Sequence, residues 1–288
     1  MRLEKSISSR TRRTGGNGRK RGSGPLHQQS DLRSHQFDIA LPQVGGDAVL
    51  TIVRPTVGPS IRTTMSGRSW TMNAAYASAR SRCTIPIEAG TDLTAAWKDE
   101  SVTSTVKIWG QPCRVELRTS SGRWSTVLDR ARLEDDLTLS LIEFKHDWAA
   151  FNTEKARRQV WLGQLAAEAL GAKYVREVRS SLGTNTFIAN CEFVQTYRFV
   201  PITIRQRYIA QDLLDSLGTV SLGRLADALA SDPANGMAVV CAMMVHRIVS
   251  IDLDRKISRD SAVRAVPPLP DFIPGLFDAL EKPLSRAA

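Results

Sequence analysis

Asp129 and the tripeptide Glu143-Phe144-Lys145 are the residues of this chain whose types and spacing suit chemistry on a phosphodiester. Cleaving such a bond requires one or two divalent cations held beside the phosphate and a water activated for attack. Mg²⁺ takes hard oxygen ligands, typically one or two carboxylates with several waters retained. A nearby Lys can orient the water and offset the charge that develops on the phosphate. The plain alternative is that Glu143 and Lys145 are solvated at a strand end and Asp129 is a turn residue. A D-x13-E-x-K match alone does not separate the two, since chance supplies many such triples.

Strand geometry sharpens the first reading. Glu143 and Lys145, two apart, face the same side of a strand, roughly 6.5–7 Å from each other. With a turn centred on Asp135, residues whose numbers sum to about 270 pair across the hairpin. Asp129 then lies opposite Leu141 and diagonal to Glu143, on one face, with Cβ atoms roughly 7 Å apart. A one-residue shift of the turn is expected to flip the strand and destroy the arrangement.

The elements that must hold these residues are legible from about Ile85 onward. EAGTDLTAAWKD (88–99) suits a helix with Leu93, Ala96 and Trp97 inward. Ser104–Trp109, Cys113–Leu117, Arg123–Asp129 and Leu137–Lys145 are expected as four strands of an antiparallel meander, separated by turns at Gly110-Gln111-Pro112, Ser120-Ser121-Gly122 and Glu134-Asp135-Asp136. Residues 152–171 carry an amphipathic helix, with Asn152 as N-cap and Gly171 as its stop. Tyr174–Val178 follows as a fifth strand, which makes an α/β sandwich with a mixed sheet. Upstream, 38–53 holds one or two short strands and 66–80 a short helix. Downstream, helices at 184–197, 202–217, 219–229 and 234–247 precede a short strand at 248–253. That order is winged-helix-like, and a module for protein contacts is its expected use.

Charge is concentrated at one end. Residues 1–33 hold nine Lys or Arg against two acids, +7 of the chain's net +10. This Gly-, Ser- and Arg-rich segment is expected to be disordered, serving either phosphate contact or solubility. It lacks the apolar stretch of a secretory signal, and the longest apolar run, Met237–Val245, is nine residues, too short for a membrane span. Cys83, Cys113, Cys191 and Cys241 are scattered, and so are the four His. Buried thiols in a reducing cytoplasm are expected, with neither a zinc site nor a disulfide frame. The domain organisation expected is a basic tail (1–37), a catalytic domain (38–180), a helical domain (181–265) and a C-terminal tail (266–288).

From Glu88 to Ser261 the order of motifs resembles the TnsA-like endonucleases of the PD-(D/E)xK superfamily. The matching elements are Glu88, Gln111-Pro112, Asp129, Glu143-Phe144-Lys145, Gly171-Ala172-Lys173-Tyr174, and TVSLGRLADALASDPANGMAVVCAMMVHRIVSIDL. The chain departs from the pattern where Leu128 stands in place of Pro before the Asp, and where Gly90 follows Glu88 closely. The resemblance implies a restriction-endonuclease-like mixed sheet flanked by helices, followed by the winged-helix-like domain. It implies that Asp129, Glu143 and Glu88 bind Mg²⁺, that Lys145 positions the attacking water, and that Gln111 supports them. The activity implied is cleavage of the non-transferred strands of double-stranded DNA at transposon ends, alongside a DDE-type transposase subunit and an ATP-dependent transposition regulator. A stand-alone restriction or repair nuclease and a non-catalytic winged-helix regulator are the rival expectations. Arg157, Arg158, Arg198, Arg205 and Arg207 could meet DNA phosphates or simply be solvated. Trp97, Trp109, Trp124, Trp148 and Trp161 are expected to pack around the core.

Overall fold

The computed structural model describes residues 7–11, 34–56, 58, 60–61, 74–88 and 90–281. It is a mixed α/β structure with several sheets. Most of the expected basic tail lies outside the described residues. Within it, however, Ile7–Thr11 forms a strand, β1, antiparallel to β2 (Ser34–Ala40), where disorder was expected. Next comes β3 (Val49–Pro55); of the one or two short strands expected within 38–53, β3 lies largely inside that range, whereas β2 starts earlier and enters it only at 38–40. The helix expected over 66–80 is corrected where the chain is described: Ala74–Ser78 is β4, paired with β5 (Cys83–Ile87). The β-forming alternation of buried Tyr76 and Ser78 with outward neighbours explains it.

After α1 (Gly90–Ser101) comes β6 (Thr105–Gly110), and the expected meander then divides between two sheets. β7 (Arg114–Thr119) and β8 (Gly122–Val127) form a hairpin that joins β3 in the five-stranded sheet β1-β2-β3-β7-β8. The chain then crosses at Leu128-Asp129 into β9 (Arg130–Glu134), a strand the sequence pattern did not resolve. β9 pairs with β6 and with β10 (Leu139–Lys145). Backbone bonds mark the crossing. The Leu128 N–H still donates to Cys113 of the hairpin, at 3.2 Å, whereas the Asp129 carbonyl accepts from Gln111 at the end of β6, at 2.8 Å.

α2 (Glu154–Leu170) then leads to β11 (Lys173–Val178), parallel to β10, giving the mixed sheet β11-β10-β9-β6. The N-cap of α2 is Thr153, whose Oγ1 accepts from Ala156 N, not the expected Asn152, and Gly171 closes the helix at φ 67°. Leu162 and Ala166 of α2 pack with Ala131 and Leu141 of the sheet in a core shared with β2, β3 and β7. Gly163 has a separate reason: a Cβ there would sit 2.2 Å from the Tyr174 ring.

The remaining chain forms α3 (Asn185–Thr196), α4 (Ile204–Leu217), β12 (Thr219–Ser221), α5 (Leu222–Leu229), α6 (Pro233–Val245), β13 (Val249–Ile251) and β14 (Ala262–Ala265). The strands close a three-stranded sheet, β12-β14-β13. This part is not detached from what precedes it. Gln195 of α3 hydrogen-bonds Tyr76 and Ser101, and Arg80 donates to carbonyls at the ends of both α1 and α6. Every residue of α6 from Ala238 to Val245 is buried. Residues expected as a C-terminal tail also return to the core: Leu276 and Leu280 are buried there, the latter on α7 (Asp278–Glu281), and Phe277 stacks on Phe37. Among the described residues no single helix is long and apolar enough to cross a membrane. The apolar pair α5 and α6 is bent by 107°.

Candidate active site

The site assembles where the chain leaves one sheet for the other. β9 and β10 pair with numbers summing to 272, as in Ile142↔Arg130, not to the expected 270. The turn centre is thus displaced by one residue, and the flip expected from such a shift does not occur, because the displacement moves partners by two positions and preserves the face. Carried one step further, the register sets Asp129 directly across from Glu143, a closer relationship than the expected diagonal. At that step β9 has ended. The Phe144 N–H, which a longer strand would satisfy, donates instead to Asp129 Oδ2 at 2.8 Å.

Glu143 is completely buried, 0% exposed. One of its carboxylate oxygens accepts from Lys145 Nζ, while Oε2 has no hydrogen-bond partner. A buried carboxylate oxygen without a partner is costly and calls for an explanation, a catalytic role or a bound ion among them. The neighbouring carboxylate tells the same story. Burial, then the negative charge of Glu143, pushes the Asp129 carboxyl up to about 7, against the opposing effects of the Phe144 N–H and the Lys145 charge. Burial also raises Glu143, with Lys145 opposing. Two acids held this close cannot both ionise cheaply without added positive charge.

Glu88 falls in the link between β5 and α1 rather than on the helix, and its Oε1 accepts from Gln111 Nε2 at 2.5 Å. It lines a cleft with Asp92, Gln111, Asp129 and Phe144. Thus all four expected residues come to one region, but among the described residues no three His, Cys, Asp or Glu side chains form a group able to hold a metal. The donors that fit a hard cation are the Asp129 and Glu143 oxygens; Glu88 lines the same cleft as Asp129, and Glu143 is not among the residues lining it. Gln111 itself is strained, at φ 45°, and nearly buried. That conformation turns its N–H toward the Asp129 carbonyl.

Two side chains at this site, Asp92 and Arg176, escaped the sequence reading, and Tyr174 entered it as part of the Gly171-Ala172-Lys173-Tyr174 motif and not as a site residue. Asp92, in the first turn of α1, lines the cleft, and burial raises its pKa, opposed by Arg130. Its spacing from Asp99, seven residues on, was the available signal. Tyr174 pairs with Leu141 in the β10–β11 register, two positions from Glu143 on the same face, and its hydroxyl is buried without a partner. Arg176 pairs with Glu143 itself and lies over the rings of Trp148 and Phe151 at 5.9 and 5.5 Å. On the opposite sheet face a buried ion network braces the site. Asp99 and Glu177 hold Arg130 and Arg132 at 2.8–3.4 Å. No family model matches this chain, and no curated protein matches it.

Proposed function

We propose that the chain is a Mg²⁺-dependent DNA endonuclease on a restriction-endonuclease-like core, acting as the strand-cleaving subunit of a heteromeric transposase. The observation that carries the nuclease reading is the Asp129–Glu143 pair, two carboxylates in register with a buried, unpartnered oxygen between strand ends and Lys145 alongside. The order α1, β6, β9, β10, α2, β11, with the E-x-K strand central, supports the same core. The transposase assignment rests on the resemblance in motif order, and with it the DDE-type partner and ATP-dependent regulator.

In this reading Asp129 and Glu143 hold the cation, which when bound neutralises the scissile phosphate and lowers the pKa of a coordinated water. Lys145 fixes the orientation of the attacking water through its ammonium and stabilises charge gathering on the phosphate oxygens. Arg176, pre-positioned by its aromatic shelf on the Glu143 face, meets the adjacent phosphate. Glu88 and Gln111 line the cleft with Asp129. The winged-helix reading of α4 to β14 fits the element order, but the position of a DNA-reading helix falls to α6, which is interior along most of its length. We therefore assign that module to protein contacts, and a purely DNA-reading regulator is disfavoured.

The deciding experiment incubates the purified chain with supercoiled plasmid and Mg²⁺, with and without the neighbouring transposase subunit. Nicking that requires the cation and disappears in Glu143→Gln is expected. Cation-independent nicking, or full activity in that variant, overturns the proposal.

A further inference from the structure

A second basic feature lies away from the carboxylates, at the other end of the β4–β5 hairpin. Two cavities, of about 460 and 660 Å³, adjoin at Ala79, Arg82 and His246, which line both, and together they are termed the groove. Arg198, Arg207, Arg82 and Lys107 are distributed along it, and no acidic side chain lines either cavity among the described residues. Neither Arg82 nor Arg207 lies within ion-pair distance of any described carboxylate. Arg198 is held in place, its guanidinium 5.2 Å from the Tyr76 ring and 4.6 Å from that of Phe199, with Nη1 donating to the Gln195 carbonyl. His246 registers the local field: burial, then the charges of Arg207, Arg80 and Arg82, depress its pKa.

Arg82 is the most informative member. It closes the hairpin turn at φ 52°, a conformation in which glycine or asparagine is ordinarily found. Holding an Arg there costs stability, on the order of 1 kcal/mol. From Cys83 beside this turn, β5 runs to Ile87 next to Glu88. The groove therefore begins roughly 15 Å from the cleft at 3.3 Å per residue, well within one turn of duplex, about 34 Å.

We infer that this groove binds the phosphodiester backbone of double-stranded DNA, gripping phosphates flanking those at the carboxylates through Arg82, Arg198 and Arg207. The inference rests on the proposed nuclease reading. A single small anion would need one focus of charge, whereas these cations are spread over two cavities. Arginine forks suit successive phosphates at that spread.

The test uses the full chain and a 30-base-pair duplex of arbitrary sequence, in Ca²⁺ or without divalent cation, titrated across 50–200 mM NaCl. The Arg82→Gly/Arg207→Ser double variant removes two cations while relieving the turn. Its melting temperature is expected to equal or exceed that of the parent. Its dissociation constant should rise about tenfold, and its log–log salt slope should become shallower by about two, one for each phosphate no longer neutralised. Arg255→Ser, an exposed arginine elsewhere, serves as control and should change affinity less than twofold. An unchanged slope in the folded double variant overturns the groove assignment and leaves the nuclease reading intact. So does protection of Arg82 and Arg207 by inorganic phosphate alone with no effect on duplex binding, which would mark a small-anion site. Failure of the parent chain to bind duplex under any condition, alone or with its transposase partner, removes the nuclease reading itself.

Discussion

Phe144 donates its backbone N–H to Asp129 Oδ2 at 2.8 Å, so that a side chain, and not the neighbouring strand, completes the ladder at the end of β10. The bond holds Asp129 across from Glu143 and, by consuming one oxygen lone pair, leaves the other oxygen to serve the cleft. Electrostatic strain between the two acids follows from this arrangement and can be measured.

The first prediction concerns pH and stability. In chelator, the folded chain keeps a proton on Asp129 up to about pH 7, whereas the unfolded chain releases it near 3.8. The native state therefore binds more protons between those values, and stability falls as pH rises through the window. Asp129→Asn removes the ionisation while keeping an acceptor for Phe144 N–H. The variant is expected to exceed the parent by about 1–2 kcal/mol at pH 8, a few degrees in melting temperature, with no gain near pH 4. Thermal melts at the two pH values check this. A variant less stable than the parent at pH 8 contradicts it. Nicking by the same variant should fall by at least about 10³-fold.

Cation binding should share that pH dependence, because Asp129 must release its proton for both carboxylates to bind. Mg²⁺ or Mn²⁺ is expected to raise the melting temperature more at pH 8 than at pH 6, the stabilisation reaching about 2.7 kcal/mol where the concentration is one hundred times the dissociation constant. Glu143→Gln should abolish the increment. Differential scanning calorimetry with and without the cation reads the effect, and an equal shift in the variant would place the ion elsewhere.

Tyr174 and Gly163 form a packing pair with opposite expected responses. Gly163→Ala drives a methyl into the ring, whose Cε2 lies 2.2 Å from the position of the new Cβ. A loss of about 1–3 kcal/mol is expected. Tyr174→Phe deletes a buried hydroxyl that has no partner, so stability should hold or rise by up to about 1 kcal/mol. Urea denaturation of both variants distinguishes them, and a destabilised Tyr174→Phe would reveal a bond that the hydroxyl makes.

Arg80 is the rivet between the two halves. Its guanidinium donates to the carbonyls of Glu100, Val102, Thr105 and Val245 at 2.5–3.1 Å. Arg80→Met strands several of these buried acceptors and should cost about 3–5 kcal/mol. Hydrogen exchange should then show early opening at the C-terminal ends of α1 and α6, ahead of β10. Uniform loss of protection would argue against a local role.

Part of this protein was legible in the residues alone. Period two puts Glu143 and Lys145 on one face wherever the strand lies, and the apolar stripe ending in Gly171 specifies α2 and its stop. These are local facts, set by side-chain alternation and by the left-handed backbone that glycine tolerates. The hairpin register could be bounded but not settled, because Leu137 adopts φ 64° and shifts the turn by one residue. Why β7 and β8 abandon the meander was not readable either, since that depends on β3, more than fifty residues upstream, offering its edge. The same holds for Asp92, Asp99, Glu177 and Arg176. In sequence they look like ordinary solvated charges, and only the packing of α1 and β11 with β9 and β10 brings Asp99 and Glu177 onto Arg130 and Arg132, Asp92 into the cleft and Arg176 beside Glu143. Burial is a property of the assembled chain, and it is burial that turns a common carboxylate into one that needs a cation.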